Sequence, residues 1–416
     1  MVNMLKKIYR KIRYYILYIN SLHYIRKNIK RVVKKIQDGE RLTVLFIIQY
    51  IPAWNKLQPI YQKMKSSNRF NPIIVCVPLN IENHTLLNDD FHNDTYEYFM
   101  HNNYECINSL DENGDWVNLK SFNPDYVFHS RPYNYCMPNC YTSGKIKKYA
   151  LICNVLYGVN TTVNCQDVTL NSDYFKDTFC YFAFDTSDQA FYEKRFRQGI
   201  QLQIQKCFPY GAIGLEQILE VKPENHNKKF KKTVLWTPRW STDPVVGGSN
   251  FFNYKETILA LAKNNQDIHF IIRPHPLMFN NFIKTGEMTK EEVERFKKFC
   301  FNASNIDLDE KKEYFDTFWE SDILITDNSG IIPEYFVTLK PIVFCHSDIF
   351  TYTTGLKKII ETTYQAFTAD DIKSCFYELI RDKDYMKEQR QEACKYLFHD
   401  VEKLSDKVLD VLACFK

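Results

Sequence analysis

Between Ser321 and Cys345 the chain reads SDILITDNSGIIPEYFVTLKPIVFC. An apolar run (Ile323 to Ile325) is followed by a polar turn (Thr326 to Gly330), an apolar-periodic segment (Ile331 to Leu339) and a second apolar run (Ile342 to Phe344). That order predicts strand, turn, helix, strand, a single βαβ unit. Good capping residues form the turn, and a helix start carries free N–H groups and the positive end of a dipole. Such an end suits an anion, most often a phosphate. A plain capped helix fits the same residues equally well.

The rest of the chain repeats this grammar. Leu42 to Ile48 is a continuous apolar run, the mark of a parallel strand buried on both faces. Helix is expected over 54–65 and 90–103. Further strands are expected at 72–77, 125–128, 149–155, 178–184 and 205–208. A polar, breaker-rich stretch at 220–232 reads as a linker. A second series follows: strand 233–237, helix 251–263, strand 268–272, helix 289–301, the βαβ unit, then helices over 370–381, 384–397 and on to about 411. Alternating strands and helices predict doubly wound α/β domains, and 416 residues are too many for one ordinary core. The expected organisation is a basic helix at 1–38, a domain at 39–218, a linker at 219–232, a domain at 233–397 and a last helix at 398–416.

Charge is unevenly placed. Residues 1–37 hold eleven Lys/Arg and no acid, whereas the remainder has 43 basic against 50 acidic residues. The body is therefore no nucleic-acid binder. The basic helix has a Tyr/Ile/Leu-rich middle, Tyr14 to Ile25, too short and too interrupted to span a bilayer. It suits the surface of an anionic membrane, or packing on a domain. The thirteen Cys are scattered without a CxxC, which points to reduced thiols, a cytoplasmic setting and no metal site.

In open α/β sheets, ligands bind beyond the carboxyl ends of the strands. In the second domain those ends carry Arg239, then Arg273 and His275, then Asp327-Asn328-Ser329-Gly330, then His346. The prolines in Arg273-Pro-His-Pro276 end the strand and hold Arg273 and His275 extended. A fixed Arg and His suit phosphate. Asp327 and Glu334, seven apart, would share a helix face and accept hydrogen bonds from a ribose, if they are not simply a cap and a solvated side chain. Gly247-Gly248-Ser249-Asn250 offers backbone N–H groups as a phosphate cradle, or only a turn. In the first domain the strand ends carry His129, Arg131, Tyr157 and Gly158. His129 or Tyr157 is the candidate to assist an acceptor hydroxyl, although lone residues at such positions are more often structural.

Three segments resemble one family. Val234-Leu-Trp-Thr-Pro-Arg239, Ile272-Arg-Pro-His-Pro276, and Asp322 to Gly330 continuing through Lys340-Pro341-Ile342 are similar in order and spacing to the CDP-glycerol glycerophosphotransferases, the teichoic-acid and capsule polymerases. The resemblance covers about residues 230–350, and Cys207-Phe-Pro-Tyr-Gly211 resembles the element closing the family's first domain. It implies a GT-B fold, two facing Rossmann-like domains. It implies transfer of glycerol phosphate or a related polyol phosphate from a CDP-activated donor, the donor being a substrate and no separate cofactor being needed. A surface-glycan or lipid-linked acceptor at the inner membrane face is implied too. His275, Asp327, Ser329 and Gly330 match the family's donor-phosphate residues. Gly330 stands where the family has a second Ser, and Tyr157 where it has an acceptor-side His. A nucleotide-sugar glycosyltransferase and a non-catalytic scaffold binding nucleotide or glycan are the alternative readings.

Overall fold

The computed structural model describes residues 2–86, 92–221, 229–245, 247–311, 314–398 and 401–415. Most of the expected linker at 220–232 therefore lies outside the described residues, as do the first two residues of the helix expected at 90–103. The chain forms two compact units: residues 1–159, 166–216 and 400–416 make the first, and residues 160–165 and 217–399 the second.

The first unit holds seven parallel strands: β1 Leu42–Ile48, β2 Phe70–Cys76, β3 Cys106–Asn108, β4 Tyr126–His129, β5 Leu151–Val155, β6 Thr178–Phe182 and β7 Lys206–Phe208. They lie in the order β3-β2-β1-β4-β5-β6-β7. The second unit holds β8 Lys232–Thr237, β9 Ile268–Ile272, β10 Ile306–Leu308, β11 Ile323–Thr326, β12 Ile342–Cys345 and β13 Tyr364–Ala366. Their order is β10-β9-β8-β11-β12-β13. Both sheets start in the middle, build outward and then reverse. This is the doubly wound order, with switch points between β1 and β4 and between β8 and β11. The central strands are apolar on both faces because helices cover both: Val234, Leu235 and Trp236 are buried, and Trp236 stacks on Phe251 with ring centroids 5.5 Å apart. Phe251 opens α3 (Phe251–Asn264).

The basic segment is one helix, α1 (Val2–Gln37). Its second half is part of the first unit. Tyr18, Leu22, Ile25 and Val32 are buried. Tyr18 Oη donates to Gln205 Oε1 at 2.6 Å and Ser21 Oγ to Asp177 Oδ1 at 2.6 Å. Arg31 and Lys35 pair with the fully buried carboxylate of Asp125 at 2.5 and 3.0 Å. An anchor covering all of 1–38 is thus corrected: residues 18–35 are occupied by the domain. The first half differs. Ile8, Ile12, Tyr15, Ile16 and Ile19 are exposed, and at 3.6 residues per turn they form a stripe on a different face from the docked residues. Among the described residues no helix is long and apolar enough to cross a membrane.

The last helix, α5 (Leu404–Cys414), belongs to the first unit. There it packs against α2 (Gln58–Lys65), and Ser405 N donates to Glu216 Oε1 at 2.7 Å.

Candidate functional site

The switch point of the second unit is where side chains of the right chemistry converge. β8 and β11 run side by side with Thr237 opposite Thr326, and their hydroxyls bond across the strands at 2.7 Å. One residue further on, Asp327 is buried to 1% exposure. Its Oδ2 accepts from Arg239 N at 2.9 Å and Asn250 N at 3.2 Å, and its Oδ1 from Asn250 Nδ2 at 3.0 Å. Lost hydration outweighs these bonds and the Arg239 charge, pushing the carboxyl up to about 6. Asp327 is the clamp that sets the two loops leaving β8 and α3's start against the end of β11.

Asn328 follows, also 1% exposed. Its carbonyl accepts from Arg239 Nη1 at 2.6 Å. Its side-chain Oδ1 and Nδ2 find no partner among the described residues. A buried amide with both ends unmatched is uncommon and costly, and it sits here at a switch point, the position where open α/β sheets offer a crevice to ligands.

The Arg-Pro-His-Pro loop is pinned beside it. Arg273 N donates to Trp236 O at 2.8 Å and His275 N to Pro238 O at 3.3 Å. His275 Nδ1 accepts from Leu277 N at 3.2 Å. In the neutral ring the proton therefore sits on Nε2, which remains a donor. Lost hydration, then the nearby Arg239 guanidinium, push its pKa down to about 4. His275 is a neutral hydrogen-bond donor at physiological pH.

Several expected roles need correction. Arg273 is not a free fork: Nη1 pairs with Asp309 at 2.6 Å, Nη2 donates to Lys311 O at 2.6 Å, and Tyr314 lies under the guanidinium at 5.1 Å. Asp309, one residue past the neighbouring strand β10, already holds the cation. Asp327 and Glu334 do not share a helix face, because α4 begins only at Ile331 (Ile331–Phe336). Glu334 is buried and accepts from Tyr314 Oη at 2.6 Å, so it is neither a ribose ligand nor a solvated side chain. The start of α4 is no open anion cup. Ile331 N is taken by Ser329 Oγ at 3.3 Å and Ile332 N by Ser329 O at 3.2 Å. The Ser329 hydroxyl keeps its O–H to donate. The Gly247–Asn250 turn is no cradle either, since Gly247 N, Ser249 N and Asn250 N are spent on Asp243, Ser241 and Asp327. At Gly330 an added Cβ would meet nothing within 4 Å, so crowding does not explain the missing hydroxyl.

The switch point of the first unit is built differently. Gln49 and Tyr50 leave β1; Ser130 and Arg131 leave β4. Arg131 Nη2 donates to Gln49 Oε1 at 2.6 Å, and its guanidinium lies 4.9 Å from the Tyr50 ring centre. Tyr157, beyond β5, is half-buried. Its ring meets Tyr50 edge-on at 6.0 Å, and its hydroxyl lies 3.2 Å from that of Tyr133. His129 is excluded as the acceptor-side base. It is 1% exposed, Nε2 is bonded to Tyr141 O at 2.9 Å and Nδ1 to Tyr174 Oη at 3.2 Å, and burial pushes its pKa down to about 4. Sequence reasoning singled out Tyr157 and Arg131 and missed Tyr50 and Tyr133. The tyrosines carry no spacing signal; they meet only because β1, β4 and β5 are neighbours.

Residues 214–407 match the family model of the CDP-Glycerol:Poly(glycerophosphate) glycerophosphotransferases. This segment, just under half of the chain, is similar to that family. Among curated proteins, the teichoic acid poly(glycerol phosphate) polymerase of Staphylococcus epidermidis is 26% identical over 144 residues, which is 34% of this chain and 18% of that protein. The chain thus matches less than a fifth of that relative's length. Among solved structures, UDP-GlcNAc 2-epimerase from Neisseria meningitidis bound to UDP-GlcNAc is similar with a TM-score of 0.58 and 13% identity, over 89% of this chain and 99% of that one. The wall teichoic acid polymerase TagF soaked with CDPG is similar with a TM-score of 0.51 and 12% identity, over 95% and 98%. The fold is GT-B, as the family resemblance implied. Among the described residues no group of three or more His, Cys, Asp or Glu side chains is placed to hold a metal ion.

Proposed function

We propose that this chain transfers glycerol phosphate, or a related polyol phosphate, from a CDP-activated donor to a surface-glycan or lipid-linked acceptor in cell-envelope assembly. The observation that carries this reading is the buried, unmatched amide of Asn328 beside Arg239, inside the segment that matches the glycerophosphotransferases. The donor's diphosphate lies at the β8/β11 switch point. The acceptor hydroxyl attacks the phosphorus bearing the polyol, the P–O–P bond breaks, cytidine monophosphate leaves, and the hydroxyl proton passes to the departing phosphate or to water. Arg239, the Ser329 hydroxyl and His275 Nε2–H stabilise the charge on the departing phosphate. Tyr157, its hydroxyl shared with Tyr133, orients the acceptor hydroxyl; a phenol is a poor base at neutral pH.

Calorimetry with CDP, CDP-glycerol and a panel of nucleotide sugars, paired with turnover assays, tests this. CDP should bind, and His275→Ala should weaken it about tenfold, the worth of one charge-assisted hydrogen bond. His275→Gln, which keeps a donor, should bind like the wild type. Full turnover by His275→Ala sinks the mechanism. Turnover confined to nucleotide sugars moves the reading to a glycosyltransferase, which Tyr157 in place of the family His favours. Binding without turnover across the panel leaves a scaffold.

The acceptor's setting is read from α1. Lys6, Lys7, Arg10, Lys11 and Arg13 share the first turns with the exposed stripe Ile8, Ile12, Tyr15 and Ile16. A basic helix carrying an exposed apolar stripe supports a peripheral setting on an anionic membrane surface. Deletion of residues 2–16 should abolish co-sedimentation with anionic vesicles while leaving the melting transition close to its place, because among the described residues the helix's hydrogen bonds to the domain begin at Tyr18 and the cut removes only the partly buried Tyr14 from the packed face. High salt should release the full chain too. Unchanged sedimentation of the shortened chain contradicts the reading. The cut must stop there, since removal through Gln37 takes both cations, Arg31 and Lys35, from the buried carboxylate of Asp125.

A further inference from the structure

The first unit contains a cavity of about 580 Å³ lined by His84, Trp116, Lys120, Asn139, Cys140, Lys145, Lys148 and Tyr149. Its size falls within the ~300–1,000 Å³ of ordinary ligand sites. None of the switch-point residues of that unit, Gln49, Tyr50, Arg131 or Tyr157, lines it, so it is separate from the site described above.

Its chemistry is one-sided. Three lysines line it and no carboxylate does. Lys120, Lys145 and Lys148 form no ion pair among the described residues, on a body that is otherwise acidic. Burial, which outweighs the pull of Lys145, holds the Cys140 thiol above its ordinary pKa, so it brings no negative charge. The Tyr149 phenol is also pushed up by burial and stays a neutral donor. The wall is aromatic and held in place: Trp116 meets Tyr141 edge-on at 5.8 Å, and its backbone bridges to Leu110. His84 Nδ1 lies 2.9 Å from Met137 O. A carbonyl only accepts, so that nitrogen carries the proton and Nε2 is left an acceptor for hydroxyl donors.

We propose that this cavity binds a phosphodiester-linked polyol chain, the class of product that the proposed reaction makes, and holds it away from the reacting end. The inference rests on that reading of the function for the identity of the chain. Lysine ammonium groups are rotatable point charges, suited to single-charged phosphodiesters in any register, whereas an arginine fork would select one geometry. The aromatic wall covers the polyol carbons, and Asn139, Tyr149 and His84 take the hydroxyls. Without a carboxylate to receive ribose hydroxyls, the cavity is less suited to a nucleotide.

The test uses the full chain, a short synthetic oligo(glycerol phosphate) and calorimetry. The triple variant Lys120→Gln/Lys145→Gln/Lys148→Gln should bind the oligomer at least about tenfold more weakly, with CDP binding unchanged. Raising salt from about 0.05 to about 0.5 M should weaken the wild type and barely affect the variant. An uncharged polyol oligomer should not compete. Equal oligomer binding by the variant overturns the proposal. So does competition by the uncharged oligomer, or displacement of the oligomer by CDP. Because CDP is titrated on the same samples, failure of nucleotide binding with lysine-dependent oligomer binding rejects the transfer reading and leaves the cavity standing. The converse rejects the cavity alone.

Discussion

Asp327→Ala should lower the stability of the chain by about 2–4 kcal/mol and abolish nucleotide binding. The carboxylate is the common acceptor for Arg239 N, Asn250 N and Asn250 Nδ2. Its loss leaves three donors stranded in a buried place, each costing on the order of 1 kcal/mol or more. Asp327→Asn keeps one acceptor oxygen but points an NH2 at N–H donors, and should fall between. The pH dependence separates the clamp from a bystander. The folded-state pKa is raised from 3.8 to about 6, so the folded state holds this proton more tightly than the unfolded chain. The stabilisation from protonation is complete below the unfolded pKa and is lost as pH rises through about 6. The deficit of Asp327→Asn against wild type should therefore grow on acidification from pH about 7 to about 4, by up to about 3 kcal/mol. His275 runs the other way: its folded pKa is lowered to about 4, so it costs stability as pH falls below its unfolded value. Comparing the variant with wild type at each pH cancels that opposing contribution. Chemical denaturation across the range reads the difference, and a deficit that shrinks in acid rules out a raised Asp327.

The strands at the heart of each sheet were legible because burial on both faces writes itself as a largely apolar run, broken only by Thr43 in one and His269 in the other. Leu42–Ile48 and Ile268–Ile272 begin and end where the apolar letters do. The outer strands Cys106–Asn108, Ile306–Leu308 and Tyr364–Ala366 were not legible, since three residues are too few for a period and an edge needs no apolar run. The candidate site divides in the same way. Which loops meet follows from strand-end position, so Arg239, His275 and Asp327 to Ser329 were found together. What each side chain does depends on partners far away in sequence. Arg273 is claimed by Asp309, Glu334 by Tyr314, and His129 by Tyr141 and Tyr174. None of those pairings has a local signature. The Asp327–Glu334 spacing misled because seven residues mean two turns only if the helix covers both, and α4 starts four residues after Asp327.

Asn328→Leu should make the unliganded protein more stable and the nucleotide complex much weaker. The wild-type amide is 1% exposed, with neither Oδ1 nor Nδ2 matched among the described residues. Replacing it with an apolar group of nearly the same shape removes that desolvation cost, about 1–2 kcal/mol. The backbone carbonyl that holds Arg239 is untouched by the change, so the loop geometry should survive. A diphosphate or sugar-like hydroxyl that pairs with the amide in the complex loses both bonds, and CDP affinity should fall at least about tenfold. A rise in melting temperature together with a fall in affinity is the signature of a residue kept for its ligand at the expense of the empty fold. Asn328→Asp is the control: a second buried carboxylate beside Asp327 should destabilise, because two like charges share one desolvated pocket. If Asn328→Leu instead lowers the melting temperature and leaves CDP binding intact, the amide is satisfied by ordered solvent and serves the fold, and the donor diphosphate must be sought elsewhere on the rim.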